Sequence, residues 1–467
     1  MKLFFALGFF LTTYTYAQEL QLNDYLEQVK SKSPGVKSSS FQIEGTKESA
    51  KEGDLIYNTR FSFMGSYMDD KRQSSGLYAG STSTSSNMLF AFDQQFSTGT
   101  AAKLSYNLMN SNTLGLSPFI AALAQNKFTN SQTELDLTQS LWKNSFGIET
   151  RATSDLAEAS SLASYFSEKF KLKQTFSQAE STYYRLSIAR ESLKLLEEVL
   201  GHSKKILEWT EKRTKNQLAD KADMLQAKAA FQARQLDIET AKDEQRSAQL
   251  AFNVLRNASS DEVVETLTPL NTNTIINIEA PKKADVTDDI KAAEQAERVA
   301  ISSNELSKQK AQPDLSLIGS LAYNGVNSFQ SPAISDSYST KNPMYKIGVQ
   351  FTMPLFIGET SEIRSGRMKQ QLAAEALTLQ TKLNNAQTWE DLEKKFSEAK
   401  VRLKMADDLV IAQKEKLEHE KYRFNLGRTT TFQVLTYEQD YEQALITHLN
   451  IAKEVLTIHA QMKAYSL

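Results

Sequence analysis

The sequence predicts a mixed α and β protein, a membrane protein if its strands close into a barrel, in which strands whose alternation fits a lipid-embedded barrel and a soluble sheet alike are interleaved with very long helices, the whole pattern laid down twice. Three observations predict it: the two halves of the 467-residue chain resemble each other, two helical stretches are too long for a globular core, and short segments alternate apolar with polar residues.

The chain opens with Met1-Lys2, an apolar run from Leu3 to Leu11, and the small-residue end Thr15-Tyr16-Ala17. Those three parts in that order read as a secretory signal, with cleavage expected near Ala17. Nine residues are too few for a bilayer-spanning helix, and no later stretch reaches the roughly 18 apolar residues that one requires. A membrane crossing would therefore use strands closed into a barrel.

Cysteine is absent, which excludes a disulfide framework, a thiolate metal site and a lipid anchor on an N-terminal Cys. A net charge of −2, from 54 basic and 56 acidic residues, provides no global attraction to nucleic acid, so no nucleic acid partner is expected. Hydrophobic residues at 40% and a mean hydropathy of −0.44 fit neither a helical membrane protein nor a disordered chain.

The internal repeat organises everything else. Phe61-Ser62-Phe63-Met64-Gly65-Ser66 matches Leu315-Ser316-Leu317-Ile318-Gly319-Ser320 at an offset of 254, and Leu135 to Trp142 matches Val349 to Phe356 at an offset of 214. The first half thus carries about 40 extra residues between its two matched strands. Leu193, Leu196, Leu200 and Leu207 recur as Leu403, Ala406, Val410 and Leu417 at an offset of 210, with the three, four and seven spacing of a helical seam.

Residues 153–217 contain no proline and one glycine, Gly201, and predict a helix of roughly 100 Å. Residues 362–426 predict a second, with Gly366 near its start. A short break follows each, and then a shorter helix, 223–257 and 432–464, so each half ends in a lopsided helical hairpin with a narrow apolar seam.

Segments 60–68, 88–96, 101–109, 134–141, 314–323 and 345–353 read as strands, and the Ser/Gly/Thr/Asn-rich stretches 71–87 and 324–342 as long loops. Four to six strands cannot close a barrel alone, since single-chain barrels begin at about eight, so oligomerisation is expected. The extra residues read as a hairpin near 88–109 that turns at Ser97-Thr98-Gly99-Thr100, placed either at the extracellular mouth or as added barrel strands.

On these residues the chain resembles the TolC family of outer membrane efflux proteins, across essentially all of the mature chain. The most specific patch is Tyr422 to Leu435, containing Arg423, Phe424, Gly427, Arg428, Thr429, Gln433, Val434 and Leu435, which is similar to the family's second periplasmic tip. Arg213 through Ala227, with Leu218, Asp220, Asp223 and Leu225, resembles the first tip. A glycine there permits chain reversal, and a small or hydroxyl residue can cap the next helix.

The resemblance implies a homotrimer whose protomers pool about four strands each into one barrel, continued by a periplasmic α-helical barrel. It implies an outer-membrane channel subunit of a tripartite efflux pump or type I secretion system, with a periplasmic adaptor protein, an inner-membrane pump and outer membrane lipid as partners. The implied division is a signal over 1–17, helix 18–59, strands 60–142, a helical hairpin 143–257 with its tip near 217–223, an equatorial connector 258–285, helix 286–311, strands 312–358 and a second hairpin 359–467 with its tip near 427–432. The tips would form a gate and adaptor contact, with Asp223, Arg213, Arg423 and Arg428 as the polar ties that an adaptor must release. Two departures stand out: Gln433 and Thr436 occupy positions where the family often has acidic residues, and Gln217 stands where the first tip usually has glycine.

No phosphate-binding glycine loop, GxSxG elbow or HExxH pair occurs, and His202, His419, His448 and His459 lack metal-ligand spacing. The expectation is a non-enzyme without cofactor or metal. A coiled-coil stalk or adhesin is the alternative, and the strand-strand-helix repeat argues against it.

Overall fold

In the computed structural model, residues 19–72, 82–116, 119–120, 126–218, 220–353, 355 and 357–466 are described. The expected signal, residues 73–81 of the first expected loop, and Ala219 at the first tip lie outside the described residues. The chain divides into two compact units, Met1–Glu44 with Phe166–Ile290 and Thr381–Leu467, and Gly45–Tyr165 with Lys291–Gln380.

The first unit is helical. Its N-terminal segment is broken rather than continuous: α1 runs Leu22–Lys32 and α2 begins at Pro34. Pro34 forbids helical geometry at Ser33, which is extended with φ −64° and ψ 122°. Strand β1, Glu19–Leu20, pairs in parallel with β6, Thr266–Leu267, and so ties the N-terminus to the connector that also holds the short helix α5, Thr272–Ile276.

Helix α3 spans Ile148–Lys215 and α4 Lys221–Leu255; α8 spans Ile357–Asn425 and α9 Thr431–Lys463. Arg402 pairs with Glu454 at 2.8 Å, Lys416 with Asp440 at 3.0 Å and Lys421 with Glu438 at 2.8 Å, the descending partner numbers marking α8 and α9 as antiparallel. Most of these side chains are partly exposed, so each pair contributes under about 1 kcal/mol. The seams contribute more.

On α8, Trp389, Leu392, Phe396, Ala399 and Leu403 are buried at alternating spacings of three and four, and they pack with Val455 and Met462 of α9 in one cluster. A second cluster joins Tyr25, Val29, Tyr183, Leu186 and Phe252, with Tyr25 stacked on Phe252 at 3.9 Å and the Tyr183 hydroxyl donating to the Leu20 carbonyl at 2.8 Å. Each fully buried apolar side chain is worth about 1.5–3 kcal/mol.

The second unit is built on one antiparallel sheet of six strands in the order β2-β3-β4-β5-β7-β8. These are β2 Arg60–Asp70, β3 Thr82–Gln95, β4 Thr100–Leu114, β5 Lys127–Ser140, β7 Asp314–Asn327 and β8 Pro343–Thr352. Each of the six expected strand segments is found, and the extra hairpin, whose place the sequence leaves open, is β3–β4, which takes two full places in the sheet between β2 and β5. The stretch 324–342 is also not an open loop, because β7 continues to Asn327 and the helix α7, Gln330–Ser337, follows it. Helix α6 is Asp288–Lys310.

Burial pushes the His448 and His459 imidazoles below the ordinary histidine range, and at His448 the Asp407 carboxylate opposes the effect only in part. The unfolded chain then binds protons more readily than the fold, so this stability is complete above the ordinary value of about 6.5 and is lost as pH falls below it. Urea unfolding followed by circular dichroism should show a lower midpoint at acid pH than at neutral pH. The difference should shrink in a His448→Gln, His459→Gln double variant.

Candidate functional site

A strand sends alternate side chains to opposite faces, so the register assigns every residue of the sheet to one side. One face carries Phe61 and Phe63 of β2, Phe90 and Phe92 of β3, Leu104 and Tyr106 of β4, Leu135 and Leu137 of β5, Leu317 and Leu321 of β7, and Tyr345, Ile347, Val349 and Phe351 of β8. The other carries Ser62, Ala91, Ser105, Glu134, Ser316, Ser320, Ala322 and Lys346. The apolar face is the open one: Phe61 is 59% exposed, Leu104 48%, Leu137 47% and Ile347 86%. On the polar face Ala91, Ser105, Ser320 and Ala322 are buried. A soluble sheet has the opposite arrangement.

Helix α7 covers the end of the apolar face remote from Arg60. A Cβ on Gly325 would lie 2.1 Å from the Ala333 carbonyl, the Ser131 hydroxyl bonds that of Ser337 at 2.8 Å, and Tyr106 stacks on Tyr338 at 5.8 Å. Only a residue without a Cβ allows that approach at Gly325.

The two helical breaks are built alike. At the first, Leu218 N–H donates to the Arg213 carbonyl at 2.8 Å; at the second, Arg428 N–H donates to the Arg423 carbonyl at 2.9 Å. The residue between, Gln217 or Gly427, is left-handed, with φ of 59° and 71°. Each arginine then folds back on its own turn: Arg213 donates to the Leu218 carbonyl at 3.1 Å and Arg423 to the Arg428 carbonyl at 3.3 Å. The repeat at offset 210 therefore persists atom by atom.

Further contacts make the second break the tighter of the two. The Glu420 carboxylate, 3% exposed, accepts from Arg423 at 3.1 Å and from the Thr429 hydroxyl. Thr430 caps α9 by accepting from Gln433 N–H at 3.3 Å, whereas Asp220 at the matching position of α4 makes no side-chain cap bond. Trp209 on α3 packs on Phe424 at 4.5 Å and carries the Arg213 guanidinium over its ring at 4.6 Å, which joins the two breaks. One helical level further from the breaks, Arg234 pairs with Glu442 at 2.7 Å, and burial raises that carboxyl despite the pairing.

No protein-family model matches this chain, and no curated protein matches it. Solved structures do. The CusC channel superposes with a TM-score of 0.63 at 13% identity, over 96% of this chain and 93% of that one. The outer membrane protein VceC of Vibrio cholerae gives 0.62 at 15%, over 95% and 96%. The MtrE outer membrane channel of Neisseria gonorrhoeae, in its open state, gives 0.62 at 14%, over 95% and 88%. This chain has the fold of those outer membrane channels.

Within this channel fold, the structure brings Arg213, Leu218, Arg423, Phe424, Gly427, Arg428 and Thr429 into the two breaks. Val434 is buried and Leu435 half-buried behind them, while Leu218 and Leu225 are exposed at 64% and 52%. Of the four charges expected as polar ties, Arg213 and Arg423 make the backbone bonds given above. Neither the Asp223 carboxylate nor the Arg428 guanidinium has a hydrogen-bond or ion-pair partner among the described residues, because Asp223 follows its cap by three residues on a half-buried helix face and Arg428 points to solvent. Glu420, Trp209 and Thr430 were not singled out from sequence. The spacing of Glu420 three residues before Arg423 was the available signal.

Gln217 sits in a backbone conformation that costs a residue with a Cβ about 1 kcal/mol or more. Gln217→Gly should stabilise the protein by roughly 0.5–1 kcal/mol in denaturant unfolding. Arg423→Ala strands a buried carboxylate and should cost about 1–3 kcal/mol locally. Amide exchange across 420–433 should speed up while the Trp389 to Leu403 seam stays protected.

Proposed function

We propose that the chain is an outer-membrane channel subunit of a tripartite efflux pump or type I secretion system, and a member of the TolC family. The observation that carries this reading is the inverted sheet, with large apolar side chains exposed on one face and small or polar residues of the inner strands, Ala91, Ser105, Ser320 and Ala322, buried on the other. A bilayer is the environment in which that arrangement is stable, because lipid covers the apolar side and a water-filled lumen solvates the other.

The sheet also has two strands, β2 and β8, that pair on one side only. Unpaired backbone groups in hydrocarbon cost several kcal/mol each, so the edges require partners. Copies of the same chain supply them, β8 of one against β2 of the next. A homotrimer would pool about eighteen strands, within the range of known bacterial barrels. The long helices offer a matching surface: Val401, Met405 and Leu409 of α8 form an exposed apolar stripe at a spacing of four, on the side away from the Leu403 seam. The coiled-coil stalk offers no role for such a sheet.

In this reading the helical hairpins extend into the periplasm and their breaks form the gate. The ties at Arg213, Arg423, Glu420 and Thr429 hold each break shut, and an adaptor protein that binds the released form better shifts the equilibrium to the open one, with energy supplied by an inner-membrane pump. The exposed Leu218, Leu225 and Gln433 are the surface offered to that adaptor.

Purification from outer membranes in detergent, followed by mass measurement and planar-bilayer recording, tests this. A particle of three chains with small conductance that rises several-fold in Glu420→Gln, Arg423→Ala supports both the channel and its gate. A soluble, non-conducting monomer contradicts the proposal.

A further inference from the structure

The register of the sheet places six residues in one line across all of its strands, on the polar face: Arg60, Asp93, Lys103, Asp136, Ser320 and Lys346. The sign alternates from strand to strand, plus, minus, plus, minus, then a hydroxyl, then plus. Directly opposed residues on neighbouring strands have Cβ atoms about 5 Å apart, so each carboxylate has a cation to one side and a cation or hydroxyl to the other. The Ser320 hydroxyl donates to Asp136 at 2.5 Å.

The middle pair comes from the inserted hairpin: Asp93 lies on β3 and Lys103 on β4. Without that hairpin the line would read Arg60, Asp136, Ser320, Lys346. A cavity of about 630 Å³ opens over the line, with Arg60, Asp93, Lys103 and Asp136 in its wall and Asn144, Glu149 and Thr150 opposite them. Five ionisable side chains are thus aimed at one volume of solvent on the shielded face.

We propose that this line is a luminal charge belt at the foot of the barrel, that it sets the ionic selectivity of the conduit for small inorganic ions, and that the inserted hairpin supplies its two central, oppositely charged members. The proposal rests on the channel reading above. A belt of mixed sign passes both ions, and each charge removed shifts its balance, which starts at three cations to two carboxylates per chain. Asp93→Asn with Asp136→Asn leaves the line three cations per chain, beside the Glu134 and Glu149 carboxylates that stay in place, and the net shift toward positive charge concentrates anions there. Arg60→Gln, Lys103→Gln and Lys346→Gln together leave the two carboxylates and concentrate cations.

The chain has no cysteine, so single cysteines report without background. Ser62→Cys lies on the polar face one position above Arg60, and Phe63→Cys on the apolar face beside it. In liposomes, charged water-soluble thiosulfonates should modify Ser62→Cys and spare Phe63→Cys. On the Asp93→Asn, Asp136→Asn background, the negatively charged thiosulfonate should react with Ser62→Cys on the order of tenfold faster, and the positively charged one more slowly. Reversal potentials in a KCl gradient should move toward anion selectivity for the same pair and toward cation selectivity for the triple variant.

Modification of Phe63→Cys in place of Ser62→Cys would overturn the channel reading and the belt together. Modification of Ser62→Cys with reagent rates and reversal potentials that ignore all five substitutions would overturn the belt alone.

Discussion

A bilayer offers the peptide backbone no hydrogen-bonding partner, and the proposed channel depends on that constraint. Strands satisfy it only when every edge is paired. The six-stranded sheet satisfies it at four interior strands and leaves β2 and β8 with one free side each. In the proposed channel, the free edges, the exposed apolar side chains Phe61, Ile347 and Phe351, and the buried small residues Ala91, Ser105 and Ser320 on the other face would all belong to one solution, a wall that copies of the chain complete.

The helical unit solves a different problem. Helices of 68 and 69 residues cannot bury much surface per residue, so their stability rests on narrow seams such as Trp389 to Leu403. Where they reverse, the two breaks use the same bonds at an offset of 210, yet they are not equally firm. Gly427 adopts its left-handed conformation without strain and lies beside the buried Glu420 tie; Gln217 adopts it with strain and has an uncapped Asp220 after it. The first break is thus the softer half of the proposed gate.

Much of this was legible in the sequence because the signals are periodic. The seam spacing located α8, where 362–426 was expected and Ile357–Asn425 is found, and the offset of 210 foretold the equivalence of Arg213 and Arg423. Strand ends were read short, since Ser, Thr and Asn between 82 and 87 suit a loop by composition and join β3 only through pairing with β4. The place of the inserted hairpin was undecided for the same reason: pairing partners are long-range facts. Which of Arg213, Asp223, Arg423 and Arg428 bond within the chain was not legible, because charge near a turn does not reveal where a side chain points, and Glu420 was missed because its burial comes from the fold of the break.

The central claim is that β2 and β8 are paired by other copies of the chain. Amide hydrogen exchange on the detergent-purified protein, resolved by strand, addresses it most directly. With neighbouring copies on both edges, the outward N–H groups of β2 and β8 should exchange as slowly as those of β4 and β5. Rapid exchange at both edges beside a protected β4 would contradict it.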